Sequence, residues 1–262
     1  MTAVTNATAT ARATATLKAT TVALGIRPRS DGKKWSGAVC AGCFFGCALN
    51  EEAHRLITRH RQVRSWDKGE FVFHAGEEAH GIWSVCKGRI KVFKETEGGK
   101  QLTIRIAVPG DLVGHRSLLA GQNLSGYGVV LESAVTAYLP AAVVMKLIEI
   151  DPNVRTQIIH KLAGDLGHAE TLATNMAYSR AEQRLLAAIA ELCHNTGECG
   201  DEYPDRPFEL AAPRQELAEL SGLTVEATVR TLRRLEEAGV LECHGRRISV
   251  LEPDALKDAC AG

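Results

Sequence analysis

The spacing of apolar residues changes character once along the chain, near Asp151. Between Val63 and Pro140 the apolar residues fall in short runs cut by glycines. Phe71–Phe73 ends at Gly76, Ile82–Val85 at Gly88, Ile90–Phe93 at Gly98 and Gly99, and Leu102–Val108 at Pro109 and Gly110. Short alternating runs closed by turn residues predict an antiparallel roll or barrel. From Asp151 the period lengthens. Asp151 is a helix cap with Pro152 at the first helical position. Ile159, Leu162, Leu166, Ala169, Ala173 and Met176 then recur in alternating steps of three and four, a heptad seam. Two readings fit that seam, a helix packed on its own domain and a dimer interface, and the dimer is the one expected. Gly164 and Gly167 each cost a helix about 1 kcal/mol relative to Ala, so a partner helix lying close to them is expected to compensate.

Beyond the seam, Ala181–Cys193 is amphipathic and Asn195–Pro207 reads as a loop. Pro213–Leu220 predicts a helix, Ser221-Gly222-Leu223 a tight turn, and Thr224 the cap of a second helix that stops at Gly239. Val240–Val250 predicts a hairpin turning at His244-Gly245. Helix, glycine turn, helix and hairpin compose a winged helix-turn-helix, although helical hairpins are common in other settings. In the second helix Glu226 and Arg230 lie four apart on one face near the N-terminus, the end that enters the major groove in this motif. There a carboxylate can accept from cytosine N4 and an arginine can bind guanine O6 and N7; the simpler alternative is an intrahelical ion pair. Arg233, Arg234, Arg246 and Arg247 are candidates for phosphate contact or plain solvated surface.

Composition narrows the class. Lys plus Arg and Asp plus Glu both number 31, so DNA binding has to come from a local arrangement of cations. No run of apolar residues is long enough to span a membrane, and the chain is expected to be cytoplasmic. Residues 1–30 are rich in Ala and Thr and read as a disordered basic tail rather than a transit peptide. No P-loop, no glycine-rich dinucleotide turn and no HExxH motif is present, so an enzyme is not expected. Of the eight cysteines, three crowd into Cys40-Ala-Gly-Cys43-Phe-Phe-Gly-Cys47. A chain of this size needs no disulfide staples, so that clustering points to metal or redox chemistry. Iron–sulfur ligation, zinc held with Cys86 or His54, and a dithiol switch all remain open on the residues alone. Cys193, Cys199, Cys243 and Cys260 are given no role.

Residues 51–255 resemble the CRP/FNR superfamily of bacterial transcription regulators. Gly222-Leu-Thr-Val-Glu-Ala-Thr-Val-Arg230 is similar to the recognition helix of the FNR branch, and Pro213-Arg-Gln-Glu-Leu-Ala218 to the helix before it. The resemblance implies an α+β chain: an N-terminal antiparallel β-roll sensor domain of the cyclic-nucleotide-binding kind, a long dimerisation helix and a C-terminal winged helix-turn-helix. The corresponding boundaries are a tail at 1–37, a cysteine-rich segment at 38–50, the roll at 51–150, the dimerisation helix at 151–177 and the DNA-binding domain at 178–262. It implies a homodimer on double-stranded DNA, with RNA polymerase as a further partner and no membrane. Val225, Glu226, Val229 and Arg230 fall at base-reading positions, and Arg214, Gln215, Thr224 and Thr228 are assigned to phosphate. The implied half-site is close to TTGAN. The branch has Ser where this chain has Val229, whose methyls can still meet a thymine methyl.

The resemblance also orders the candidate signals. The cyclic-nucleotide branch follows Gly110-Asp-Leu-Val-Gly114 with a ribose-binding Glu and later an Arg-Ser pair for the phosphate; here His115 and Leu124-Ser125 stand there. A cyclic phosphate would lose its cation, so cAMP is not expected. The haem-binding branch carries Cys and His where this chain has Gly114 and Arg116, so haem is not expected either. The FNR branch holds a [4Fe-4S] cluster on three N-terminal cysteines and one from the roll. Cys40, Cys43 and Cys47 match the N-terminal group, with a shorter last gap. Ala137 occupies the place of the fourth cysteine, and Cys86, in Val85-Cys-Lys-Gly88, is the cysteine left in the roll to replace it.

Overall fold

The computed structural model describes residues 44–46, 50–196 and 206–261. They pack as two compact units. One runs up to Ile90 and takes in Ala107–Leu162; the other joins Lys91–Ile106 to the chain from Ala163 onward.

The first unit opens with a 3-10 turn at Phe44–Gly46 and helix α1, Glu51–His60. Asn50 caps α1, its Oδ1 accepting from Ala53 N at 2.8 Å. Acids in the first turn and bases in the last suit the helix dipole. Strands β1 (Gln62–Trp66), β8 (Ala134–Pro140), β3 (Gly81–Lys87) and β6 (Leu112–Val113) form one sheet in that order. β2 (Phe71–Phe73) pairs antiparallel with β7 (Tyr127–Val130). Antiparallel pairing of short strands follows the alternation read from the sequence. Helix α2 (His115–Leu119) comes after Gly114, whose φ of 81° favours glycine.

Helix α3 (Ala141–Ile150) leads into the long helix α4 (Pro152–Tyr178). Asp151 makes the joint. Its Oδ1 accepts from Asn153 N at 2.8 Å, and its Oδ2 accepts from Asn50 N at 3.0 Å. One buried carboxylate thus caps α4 and ties down the start of α1. The core of this unit gathers Phe45, Ala53, Ile57, Ile82, Leu112, Leu139, Val144, Leu147, Val154 and Ile158.

The second unit holds most of β4 (Ile90–Glu95) and β5 (Gln101–Ala107), the rest of α4, and helix α5 (Ala181–Thr196). It continues into β9 (Phe208–Ala211), α6 (Arg214–Ser221), α7 (Val225–Glu237), β10 (Leu241–His244), β11 (Arg247–Val250) and α8 (Asp254–Ala261). The small sheet has the order β10-β11-β9, so the predicted hairpin gains a third strand just past the loop read from the sequence. Leu185, Ile189, Leu192, Leu217 and Ile248 are fully or almost fully buried here. Cys193 is buried in α5 and disulfide-bonded, a correction to the expectation of a chain without disulfides.

Candidate nucleic-acid interface

The helix-turn-helix is built on two local devices. Gly222 ends α6 with φ of 63°, and a Cβ there would come within 2.7 Å of Met176 Sδ, so the turn requires glycine. Thr224 then caps α7, its Oγ1 accepting from Ala227 N at 3.2 Å. One face of α7 buries Thr228, Thr231, Leu232 and Leu235. The opposite face exposes Glu226, Arg230 and Arg233, with Val225 and Val229 half-buried beside them.

Glu226 and Arg230 share that face without pairing, and Arg230 and Arg233 have no ion-pair partner among the described residues. Glu226 is instead turned onto the helix start. A hydrogen bond from its own backbone N–H, and then one from the Thr224 hydroxyl, hold its carboxyl below the ordinary carboxylate value. An ionised acceptor and an uncommitted guanidinium therefore stand one turn apart at the N-terminal end of an exposed helix.

The residues assigned to phosphate divide. Gln215 is exposed, and its Nε2 donates to Glu219 Oε1 at 2.7 Å. Arg214 is half-buried, with Nη1 donating to Ala212 O at 3.1 Å. Thr224 is exposed at the cap. Thr228 is a correction. It is fully buried, and its hydroxyl has no partner among the described residues, so it lies inside the motif out of reach of a phosphate. Periodicity carried the signal: Thr228 keeps step with Thr231, Leu232 and Leu235 on the inward face. Of the other cations, Arg246 is exposed, Arg247 pairs with Glu209 at 3.2 Å, and Arg234 with Glu182 at 3.4 Å.

On α4, Ile159 and Leu166 are 57% and 61% exposed, unusual for large apolar side chains. Ala169 and Ala173 are exposed with them, while Leu162 and Met176 are half-buried.

Cys40, Cys43 and Cys47 lie outside the described residues. The turn between the last two does not. Phe44 N donates to Ser84 Oγ at 2.9 Å, and Phe45 is buried in the core. Ser84 sits on β3 directly opposite Ala137 on β8. Cys86 follows two residues along β3, at a register shift in that pairing, half-buried against the cluster that contains Phe45. Its thiol donates to Ser84 O at 3.8 Å. Where the cyclic-nucleotide branch has its Glu and Arg, His115 and Leu124 are buried. No helix of the described residues is long and apolar enough to cross a membrane.

Residues 63–151 match the cyclic nucleotide-binding domain, and residues 183–259 the Crp-like helix-turn-helix domain. The chain is 28% identical over 206 residues to the fumarate and nitrate reduction regulatory protein of Escherichia coli (strain K12), covering 79% of this chain and 80% of that protein. It is similar in fold to the c-di-GMP responsive global regulator CLP of Xanthomonas campestris, with a TM-score of 0.66 at 20% identity over 77% of this chain and 99% of that one. A CRP/FNR-family transcriptional regulator of Thermus thermophilus gives a TM-score of 0.64 at 21% identity, with the same coverage.

Proposed function

Because the chain belongs to the CRP/FNR family of DNA-binding transcription regulators, which are not enzymes, we propose that it is an oxygen- or redox-responsive member, acting as a homodimer on an FNR-like TTGAN palindrome. The observation that carries the sensor half of this reading is the docking of Phe44–Gly46 on β3. Cys43 directly precedes that turn and Cys47 directly follows it. The strand it meets bears Cys86, two residues past Ser84, and Ser84 lies opposite Ala137, the position where the family carries its fourth cysteine. The donor set fits a [4Fe-4S] cluster, whose normal ligands are thiolates. Cys40, Cys43, Cys47 and Cys86 would hold it, and it would supply oxygen-labile redox chemistry beside the roll. The bond from Phe44 N–H to Ser84 Oγ holds Phe44 against β3. Cys86 lies at the β3 register shift between Val85 and Lys87, and an irregularity of this kind is where a bulge re-aims a side chain.

The DNA half rests on α7. Glu226 and Arg230 would read a G·C pair, with Val225 and Val229 beside them and Arg214, Gln215 and Thr224 on phosphates. Two such helices would be set by the α4 seam to meet successive major grooves, with RNA polymerase as the next partner.

Protein isolated without air tests the sensor. The expected result is broad visible absorbance with a full complement of iron, lost in Cys86→Ser and on exposure to air. Iron-free protein, or a Cys86→Ser chain that keeps its iron and colour, overturns the cluster reading and leaves zinc, thiol oxidation or a ligand of the roll. Titration against a TTGAT-N4-ATCAA duplex at stated salt tests the operator.

A further inference from the structure

The helix-turn-helix contains a carboxylate that DNA binding does not call for. Glu219 lies on α6, the helix assigned to phosphate contact, and is buried. An acid there repels DNA if it faces out and costs solvation if it faces in. Its partner comes from 128 residues away: Lys91 Nζ on β4 lies 2.5 Å from Glu219 Oε2, with the two side chains 11% and 10% exposed. Lys91 is itself held, with Gln101 Oε1 at 3.4 Å and the Phe93 ring centroid 4.6 Å from its ammonium. Gln101 in turn donates to Glu95 Oε2 at 2.9 Å.

The remaining carboxylate oxygen, Oε1, accepts from Gln215 Nε2 at 2.7 Å. That bond fixes the amide's orientation, because beside an ionised carboxylate only the nitrogen end of a glutamine is favourable. One Nε2 hydrogen is spent on Glu219 and the other is left for an acceptor in solvent. The α6–α7 turn is seated independently in the same unit, where a Cβ on Gly222 would meet Met176 Sδ at 2.7 Å and Leu102 at 3.5 Å. Lys91, Glu219 and Gln215 thus form a relay from a sheet strand to the exposed side of α6.

We infer that Lys91 is a positioning residue for DNA binding: through Glu219 it orients the Gln215 amide toward a backbone phosphate. This rests on the reading of Gln215 as a phosphate contact. Lys91 touches no DNA itself, since its ammonium is buried and paired. Without it, burial of the Glu219 carboxylate is uncompensated, so Glu219 swings out toward solvent and Gln215 loses its anchor.

The test uses the full chain and a labelled duplex, comparing wild type, Lys91→Met, Glu219→Gln, Gln215→Ala, Lys91→Met with Gln215→Ala, and the exchanged pair Lys91→Glu with Glu219→Lys. Lys91→Met is expected to weaken binding on the order of tenfold. The loss is the same on the operator and on unrelated duplex, because phosphate contacts carry no sequence information. Gln215→Ala loses a similar factor, and the double variant loses no more than Gln215→Ala alone. The exchanged pair restores the buried ion pair but not the binding, because an ammonium at position 219 cannot accept from Gln215 Nε2. Thermal unfolding of each chain guards against misfolding, and Glu219→Gln, which leaves the buried Lys91 ammonium without its anion, is expected to weaken binding by a similar factor. Wild-type affinity in folded Lys91→Met, additive losses, or a neutral Gln215→Ala each overturn the inference. A wild type that binds unrelated duplex without preferring TTGAT-N4-ATCAA fails the operator reading alone, and the same comparison on unrelated duplex still decides for or against Lys91.

Discussion

Lys161 Nζ lies 2.6 Å from Asp111 Oδ1, joining α4 to the Gly110–Gly114 turn of the roll. The other carboxylate oxygen of Asp111 accepts from Val108 N at 3.0 Å, so one side chain shapes the turn and grips the helix. Both members are about four-fifths buried, which places the pair between a surface bridge and a core one. Asp111→Asn keeps an acceptor for Val108 but removes the charge facing Lys161. We expect it to lower unfolding stability by about 1–2 kcal/mol. The coupling in a cycle with Lys161→Met should be about 1 kcal/mol. Chemical denaturation of the four chains measures it, and a coupling near zero refutes it.

Ile159 and Leu166 are seven residues apart and both more than half exposed in the single chain. Seven residues advance an α-helix by about 10 Å, so the two lie in line along one stripe. Covering each is worth roughly 1.5–3 kcal/mol, a gain available only from a partner. Leu166→Glu puts two like charges into a two-fold seam. It should convert the chain to a monomer at micromolar concentration and abolish tight operator binding while leaving the monomer folded. Light scattering after size-exclusion chromatography decides; an unchanged dimer mass moves the interface elsewhere.

Among the described residues, nothing outside the helix's own adjoining backbone comes within 4 Å of a Cβ built on Gly164 or Gly167. In the heptad phase set by Ile159, Leu162 and Leu166, both fall off the seam, so a partner helix packed on that seam would not reach them. Gly164→Ala and Gly167→Ala are each expected to raise stability by up to about 1 kcal/mol with no change in the dimer constant. Denaturation and sedimentation measured together check both halves.

These outcomes mark where the chain was legible. The change of period at Asp151 located the long helix, because the 3.5-residue repeat and the Asp-Pro start are local signals. Gly222 and Thr224 fixed the helix-turn-helix for the same reason, one supplying a left-handed φ and the other a cap. What stayed hidden depends on partners far along the chain. Helix α3 and strand β9 are short and carry no cap or turn signature of their own. The burial of Thr228 is legible too, since it keeps step with Thr231, Leu232 and Leu235 on the inward face of α7. Glu219 gave no sign of burial, since its partner lies on β4. That Ser84, two residues before Cys86, lies opposite Ala137 required the register of β3 on β8.

Arg230 offers the sharpest check of the DNA reading, because it stands one turn from Glu226 on the exposed face of α7. It is exposed and has no ion-pair partner among the described residues, and Glu226 on the preceding turn is held by Thr224 and the helix start rather than by Arg230. A guanidinium so placed is available for a bidentate contact with a guanine, which is worth about 1–3 kcal/mol of discrimination. Arg230→Ala should therefore cost that much on a TTGAT half-site and much less on a half-site with the G·C pair replaced, so that the preference at that position disappears. Arg246→Ala, on the wing, should instead weaken every duplex alike and reduce the slope of log K against log salt by about one. Fluorescence anisotropy across a salt series, with matched and substituted duplexes, separates the two behaviours. Equal losses on both duplexes for Arg230→Ala would make it a phosphate contact and remove it from the base-reading set.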